Sequence, residues 1–179
     1  ENQDEIATIL EQTDKLDFLI QSLVKLSRME SGIIAVHSED TTIKQMFESI
    51  QQQFNVKVRE KNITLSLCDT DLHIRCDSKW TVEALGNIVD NAIKYTACGG
   101  NVQIKVEQYS FFVKIDIIDD GIGIEKEEIP KIFGRFYRSL SVADQPGVGI
   151  GLFLAREIIQ AQKGYIKVTS ETGQGSTFS

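Results

Sequence analysis

Four short stretches carry residue types that could act on a charged ligand. "NIVDNAIKYT", residues 87–96, puts Asn87, Asn91 and Lys94 on one side of a helical wheel. The amide oxygen of Asn91 suits a hard cation such as magnesium, which prefers oxygen ligands and keeps several waters. Lys94, one turn further on, can meet phosphate charge. "DDGIGI", residues 119–124, follows an apolar run. There Asp119 can accept a hydrogen bond from an exocyclic amine, while Gly121 and Gly123 let the chain turn sharply and approach a flat ligand closely. "GVGIGL", residues 147–152, leads into a helical pattern. Its glycines free backbone N–H groups, and the helix start adds positive potential, a combination that suits phosphate. "IFGRFYR", residues 132–138, sets two arginines among three aromatic rings, either a small patch with snorkelling arginines or a hinge that offers Arg138 to a phosphate. Each stretch alone also fits something plainer: a solvated helix face, an acidic turn, a loop running into a cap. The G-x-G-x-G spacing is neither a Walker loop nor a dinucleotide fingerprint.

These residues need elements to position them. Residues 5 to about 30 read as one long helix: Ile9, Leu16 and Leu23 recur every seven residues and Gln12, Leu19 and Leu26 fill the alternate slots. Such a seam lies on its own domain or joins a bundle or coiled coil, and Gly32 is its expected C-cap. Ile43, Phe47, Ile50 and Phe54 predict a second helix, capped by Ser38 or Asp40. "ITLSL" and "LHIRC" read as short strands. Ser78 is expected to cap the helix that bears Asn91, with Val82, Leu85, Ile88, Val89, Ala92 and Ile93 as its apolar stripe. "NVQIKVEQY" and "FFVKIDIID" read as paired strands and "EKEEIPKIF" as a short helix. Residues 137–149 read as an irregular loop. A helix over "IGLFLAREIIQAQKG" closes at Gly164, and "YIKVTS" with "GSTFS" forms a last hairpin. The fold class is therefore α+β, a two-layer arrangement with helices on one face of a mixed sheet, preceded by a long helix. The expected division is 1–32 helical, 33–40 linker and 41–179 globular.

Bulk properties narrow the function. With 179 residues and 41% hydrophobic content the chain can bury one good core and carry an appended element. A net charge of −7 without a Lys/Arg run disfavours a nucleic-acid surface. Backbone N–H groups and a metal can still hold an anionic nucleotide on an acidic protein. Cys68, Cys76 and Cys98 are odd in number and form no C-x-x-C, and with His37 and His73 they show no zinc-ligand spacing, so reduced, intracellular thiols are expected. No apolar run is as long as a membrane span. The start lacks Met and the end stops inside a strand-like run, which suggests a fragment of something longer.

Taken in order, the Asn-bearing helix, the Asp/Gly turn, the aromatic/Arg hinge, the glycine loop and "GQGSTF" resemble the N, G1, F, G2 and G3 boxes of sensor histidine kinases. The ATP-binding fold of these kinases is shared with gyrase, Hsp90 and the MutL proteins. The likeness covers roughly residues 8–179. It implies that Asn91 holds Mg²⁺, with Asn87 in support, and that Lys94 and Tyr95 face the nucleotide. By the same likeness Asp119 reads the adenine amine beside Gly121, Gly123 and Ile124. Phe136 and Arg138 belong to the F box, and Gly147, Val148, Gly149, Ile150, Gly151 and Leu152 hold the triphosphate at the end of a lid over about 137–148. Thr177 comes from the last box. The implied catalytic set is Asn87, Lys94 and Arg138. Two positions depart from the family pattern: Val148 lacks the hydroxyl often found between the first two glycines, and Gly134 stands in place of the usual Glu.

The heptad helix resembles the second helix of the dimerisation and phosphotransfer hairpin. Neither His37 nor His73 has the context of the phosphoacceptor, so the expectation is a chain that binds ATP without phosphorylating itself. The implied partners are a response-regulator receiver domain and a second protomer through the heptad helix. The implied location is the cytoplasmic part of a membrane-anchored kinase. Three rivals share the fold. An ATP-hydrolysing gyrase or chaperone type carries Glu where Asn87 stands. An anti-sigma Ser kinase would lack the "LSRMESG" helix. A degenerate interaction module would have lost the polar residues that every box here keeps.

Overall fold

The computed structural model describes residues 36–139, Val142, Gln145 and 147–179, together with positions 5, 6, 9, 10, 12, 13, 16, 17, 19–21, 23, 24 and 27. The described early positions are helical. The remainder of the expected heptad helix, including Leu26 and its Gly32 end, lies outside the described residues.

From residue 39 the order is β1 (Glu39–Thr42), α1 (Ile43–Glu60), β2 (Thr64–Leu67), β3 (His73–Cys76), α2 (Ser78–Tyr95), β4 (Asn101–Gln108), β5 (Val113–Asp119), α3 (Gly151–Ala161), β6 (Val168–Glu171) and β7 (Gly175–Phe178). Five strands form one sheet in the order β2-β4-β5-β7-β6. β2 runs parallel to β4, and the other pairings are antiparallel. The expected mixed sheet with helices packed on it is present. β1 and β3 make a separate antiparallel pair.

The core lies between helices and sheet. Ile43, Met46 and Ile50 of α1, Val89 of α2, Ile104 of β4, Ile117 of β5 and Ile158 of α3 are fully buried. On α1 the buried residues recur at three and four positions, so one stripe faces inward and the rest stays wet. On β4, Val102 and Ile104 point to the helices while Asn101, Gln103 and Lys105 point away, the period of a half-buried strand.

Local signals moved several boundaries. Residues 39 and 40, read as linker, begin β1. The α1 cap is neither Ser38 nor Asp40 but Thr42, whose hydroxyl accepts from the Gln45 N–H. Asp77, not Ser78, caps α2 by accepting from the Trp80 N–H. At the end of α3 the left-handed residue is Lys163 (φ 64°), not Gly164, and the Gly164 N–H returns to the Ile159 carbonyl. The segment 125–133 is a series of turns rather than a helix. Pro130 has no N–H, so the ladder breaks after Ile129 and restarts at Lys131 and Ile132. Strand β6 starts at Val168 rather than Tyr165.

β7 pairs with β5 from Ile117 to Asp119. A hollow of about 910 Å³ beside β5 is lined by Leu85, Ile88, Ile115, Ile159, Tyr109 and Phe112 among others. The hairpin between β4 and β5 carries the stacked rings of Tyr109 and Phe112 and a fully exposed Phe111. All three cysteines are free thiols.

Candidate functional site

A cleft of about 170 Å³ opens between α2, the turn after β5, the segment leading to residue 139 and the start of α3. Helix α2 forms one wall because its apolar stripe is drawn into the core, which turns the opposite stripe outward. Asn87, Asp90, Asn91, Lys94 and Tyr95 line the cleft from this helix. Asn87 is held by a bond from its Nδ2 to the Glu83 carbonyl at 2.9 Å. Asp90 is paired with Lys57 of α1 at 2.5 Å. The Lys94 Nζ donates to the Tyr95 hydroxyl at 3.0 Å and lies 4.8 Å from the centre of that ring. The half-buried Asn91 amide has no hydrogen-bond partner among the described residues, so its oxygen is available.

Asp119 closes the floor at the end of β5 and is 7% exposed. Burial raises its pKa above the ordinary carboxylate value, and the backbone N–H groups of Gly121 and Ser176 pull the other way. The Gly121 N–H bond measures 3.0 Å. Gly121 itself does not line the cleft. A Cβ there would stand 2.6 Å from the Tyr95 carbonyl oxygen, so this glycine lets the turn pack against the end of α2. Gly123 and Ile124 do line the cleft. The neighbouring Asp120 points elsewhere and is held ionised by the backbone and side-chain N–H groups of Asn101, which lower its pKa.

The glycine loop crosses the Asn/Lys face of α2. Gly147, Val148, Gly149, Ile150, Gly151 and Leu152 all line the cleft. A Cβ on Gly147 would come within 2.8 Å of the Lys94 Nζ, and one on Gly149 (φ 77°) within 2.5 Å of the Tyr137 carbonyl oxygen. A Cβ on Gly151 would press on the Asn87 side chain at 3.1 Å. The space is kept by the absence of side chains. Helix α3 begins here without a side-chain cap, so its first N–H groups and the positive end of its dipole face the cleft.

Other expected residues sit differently. Arg138 lines the cleft, but its guanidinium donates to the carbonyls of Val142 (3.0 Å) and Gln145, so it binds the lid segment to itself. Phe136 is half exposed with φ 60° and lies outside the cleft lining. Arg135 stacks on the Phe153 ring at 4.7 Å. Thr177 points to the far side of the sheet, and its neighbours Ser176 and Phe178 enter the cleft instead. Strand alternation decides this. Sequence reasoning missed Glu128, which lines the cleft and accepts from the Tyr137 hydroxyl at 3.2 Å and the Ser139 hydroxyl at 2.8 Å. Its only signal was its place in a turn-rich acidic segment. Neither His37 nor His73 lines the cleft.

A cleft with a buried carboxylate at its floor, a glycine loop at a helix start and an Asn/Lys wall is built for a nucleotide. The sequence profile of the "Histidine kinase-, DNA gyrase B-, and HSP90-like ATPase" family matches residues 76–179, more than half of the chain. The chain belongs to this ATPase family. The chain is 32% identical over 93% of its length to the sensor histidine kinase WalK of Bacillus subtilis strain 168, and covers 28% of that protein. It is 28% identical over 99% of its length to the sensor protein SrrB of Staphylococcus aureus strain N315, and covers 31% of it. Among solved structures, the histidine kinase AdeS of Acinetobacter baumannii superposes with a TM-score of 0.78 at 25% identity, covering 97% of this chain and 80% of that one. The chain thus spans about three-tenths of the length of these two curated relatives. This ATPase domain is of the ATP-binding kind that sensor histidine kinases carry. Among the described residues no helix is long and apolar enough to cross a membrane.

Proposed function

We propose that this domain binds ATP with Mg²⁺ and supplies the γ-phosphoryl group for transfer to a histidine outside it, and onward to an aspartate of a response-regulator receiver domain. The observation that carries the reading is the crossing of Gly147 over Lys94, where the absence of a Cβ keeps a space beside the ammonium group. Asp119 accepts the adenine amine, with Gly123 and Ile124 against the ring. The N–H groups from Gly149 to Leu152 and the Lys94 ammonium take phosphate oxygens. Asn91 offers an oxygen to the cation. Among the described residues no cluster of three or more His, Cys, Asp or Glu is placed to hold a metal, which fits a magnesium held by one amide oxygen, waters and the nucleotide's own phosphates. Such a cation, when bound, neutralises charge that builds on the phosphoryl oxygens.

The chain's own contribution is positioning and charge. Lys94 and the start of α3 orient the phosphates toward the open side of the cleft, and Glu128 with Arg138 arranges the segment that covers them. No carboxylate stands at position 87 to activate water, which favours phosphoryl transfer over hydrolysis. The described apolar residues of the early helix, Ile9, Leu16 and Leu23, are exposed and support pairing with a second copy. The test is calorimetric titration with a non-hydrolysable ATP analogue, with and without Mg²⁺. Magnesium-dependent binding is expected. Absence of binding at millimolar nucleotide would leave a degenerate interaction module as the better reading.

A further inference from the structure

Outside the cleft, one buried polar cluster joins three parts of the fold. Asp77 is 8% exposed and Thr81 5% exposed, and both sit at the start of α2. The Asp77 carboxylate accepts from the Trp80 N–H at 3.1 Å and from the His37 N–H at 2.9 Å. Its own backbone N–H donates to the Gln162 Oε1 at 2.7 Å. The Gln162 Nε2 donates to the Thr81 hydroxyl at 3.2 Å. Gln162 is the residue that ends α3, and the other end of α3 is the glycine loop. The two helices therefore lie antiparallel. They meet at one end through this polar cluster and at the other through Gly151 against Asn87.

We infer that Gln162 is a positioning residue for the phosphate-binding glycines: it fastens the far end of α3 to the Asp77 cap and Thr81, and so sets where the near end presents Gly149–Gly151. The inference rests on the nucleotide-binding reading. An 11-residue helix is about 16 Å long and stiff, so its aim depends on how both ends are held. A glutamine that is a plain surface cap would leave that aim unchanged when removed. These part-buried hydrogen bonds resist sliding because breaking them leaves the Asp77 N–H without a partner and the Thr81 hydroxyl with the Cys76 thiol alone. The same carboxylate holds the backbone of His37, so the segment entering the domain is tied to the junction that aims α3.

The test uses the 179-residue chain with Gln162→Met, which keeps the side-chain length and removes both hydrogen bonds. Thr81→Val is the second variant, and Thr81→Ser the conservative control that keeps the hydroxyl. Two readouts are taken: affinity for a non-hydrolysable ATP analogue with Mg²⁺, and hydrogen exchange at the first bonded amide of α3, Leu154, without nucleotide. Gln162→Met and Thr81→Val are expected to weaken the analogue roughly five-fold and speed exchange at Leu154 by a similar factor, with Thr81→Ser unchanged. Unaltered affinity and exchange in both Gln162→Met and Thr81→Val would overturn the inference. Failure of the unaltered chain to bind the analogue would overturn the nucleotide reading instead, and the ligand-free exchange at Leu154 would still decide whether Gln162 holds the helix.

Discussion

In the proposed reading, Asp119 is the residue on which ligand choice turns. Its carboxylate is buried, partnered among the described residues by the backbone N–H groups of Gly121 and Ser176, and lines the cleft. Asp119→Asn keeps the shape and removes the charge-assisted acceptor for an amine, so the ATP analogue should bind about 2 kcal/mol more weakly, roughly thirty-fold, with the melting temperature little changed. Unchanged affinity by calorimetry would sink the adenine assignment. Burial also fixes the sign of the pH dependence. The pKa is raised, so protonation sets in above the ordinary carboxylate range, and affinity should fall as pH drops through the raised value. Stability moves the other way. Folded Asp119 holds its proton more tightly than unfolded, so its contribution is full below the unfolded pKa and is lost as pH rises through the folded one. The Asn variant should flatten both profiles. Asp119 was readable in the sequence because it ends an apolar run before two glycines. Thr177 was misplaced because only the β7–β5 register, which pairs Asp119 with Ser176, decides which neighbour enters the cleft.

At the scale of elements, the site depends on a loop that exists only where side chains are missing. Gly149 has φ 77°, and a Cβ there would meet the Tyr137 carbonyl oxygen. Gly149→Ala should cost about 1–2 kcal/mol in the left-handed conformation alone. It should also push the loop off the lid, so that nucleotide affinity falls by more than stability does. Comparing urea midpoints with titrations checks this. Helices and strands with strong periodicity, such as α1 with Ile43, Ile50 and Phe54, were legible because one stripe must face the core. β1 was not, since its partner β3 lies some thirty residues on and nothing local marks Glu39–Thr42 as a strand. That unseen strand is why the cap of α1 falls on Thr42. The turns at 125–133 were misread because the charge pattern favours a helix while Pro130 withholds the N–H that would continue it.

For the molecule as a whole, α1, α2, α3 and the sheet share one core, so damage at its centre should reach the site. Ile104 of β4 is fully buried beside Ile117 of β5. Ile104→Ala should lower unfolding free energy by about 2–5 kcal/mol in urea titrations and weaken nucleotide binding in step. Conversely, the ATP analogue with Mg²⁺ at a hundred times its Kd should add about 2.7 kcal/mol to the unaltered chain, seen as a rise in melting temperature. Gly121 points to a different kind of outcome. It does not line the cleft, and a Cβ there would stand 2.6 Å from the Tyr95 carbonyl oxygen, where the turn after β5 packs on the end of α2. A screen for inactive variants is expected to recover changes at Gly121 from the insoluble fraction, while changes at Asp119, two residues away, stay in the soluble one.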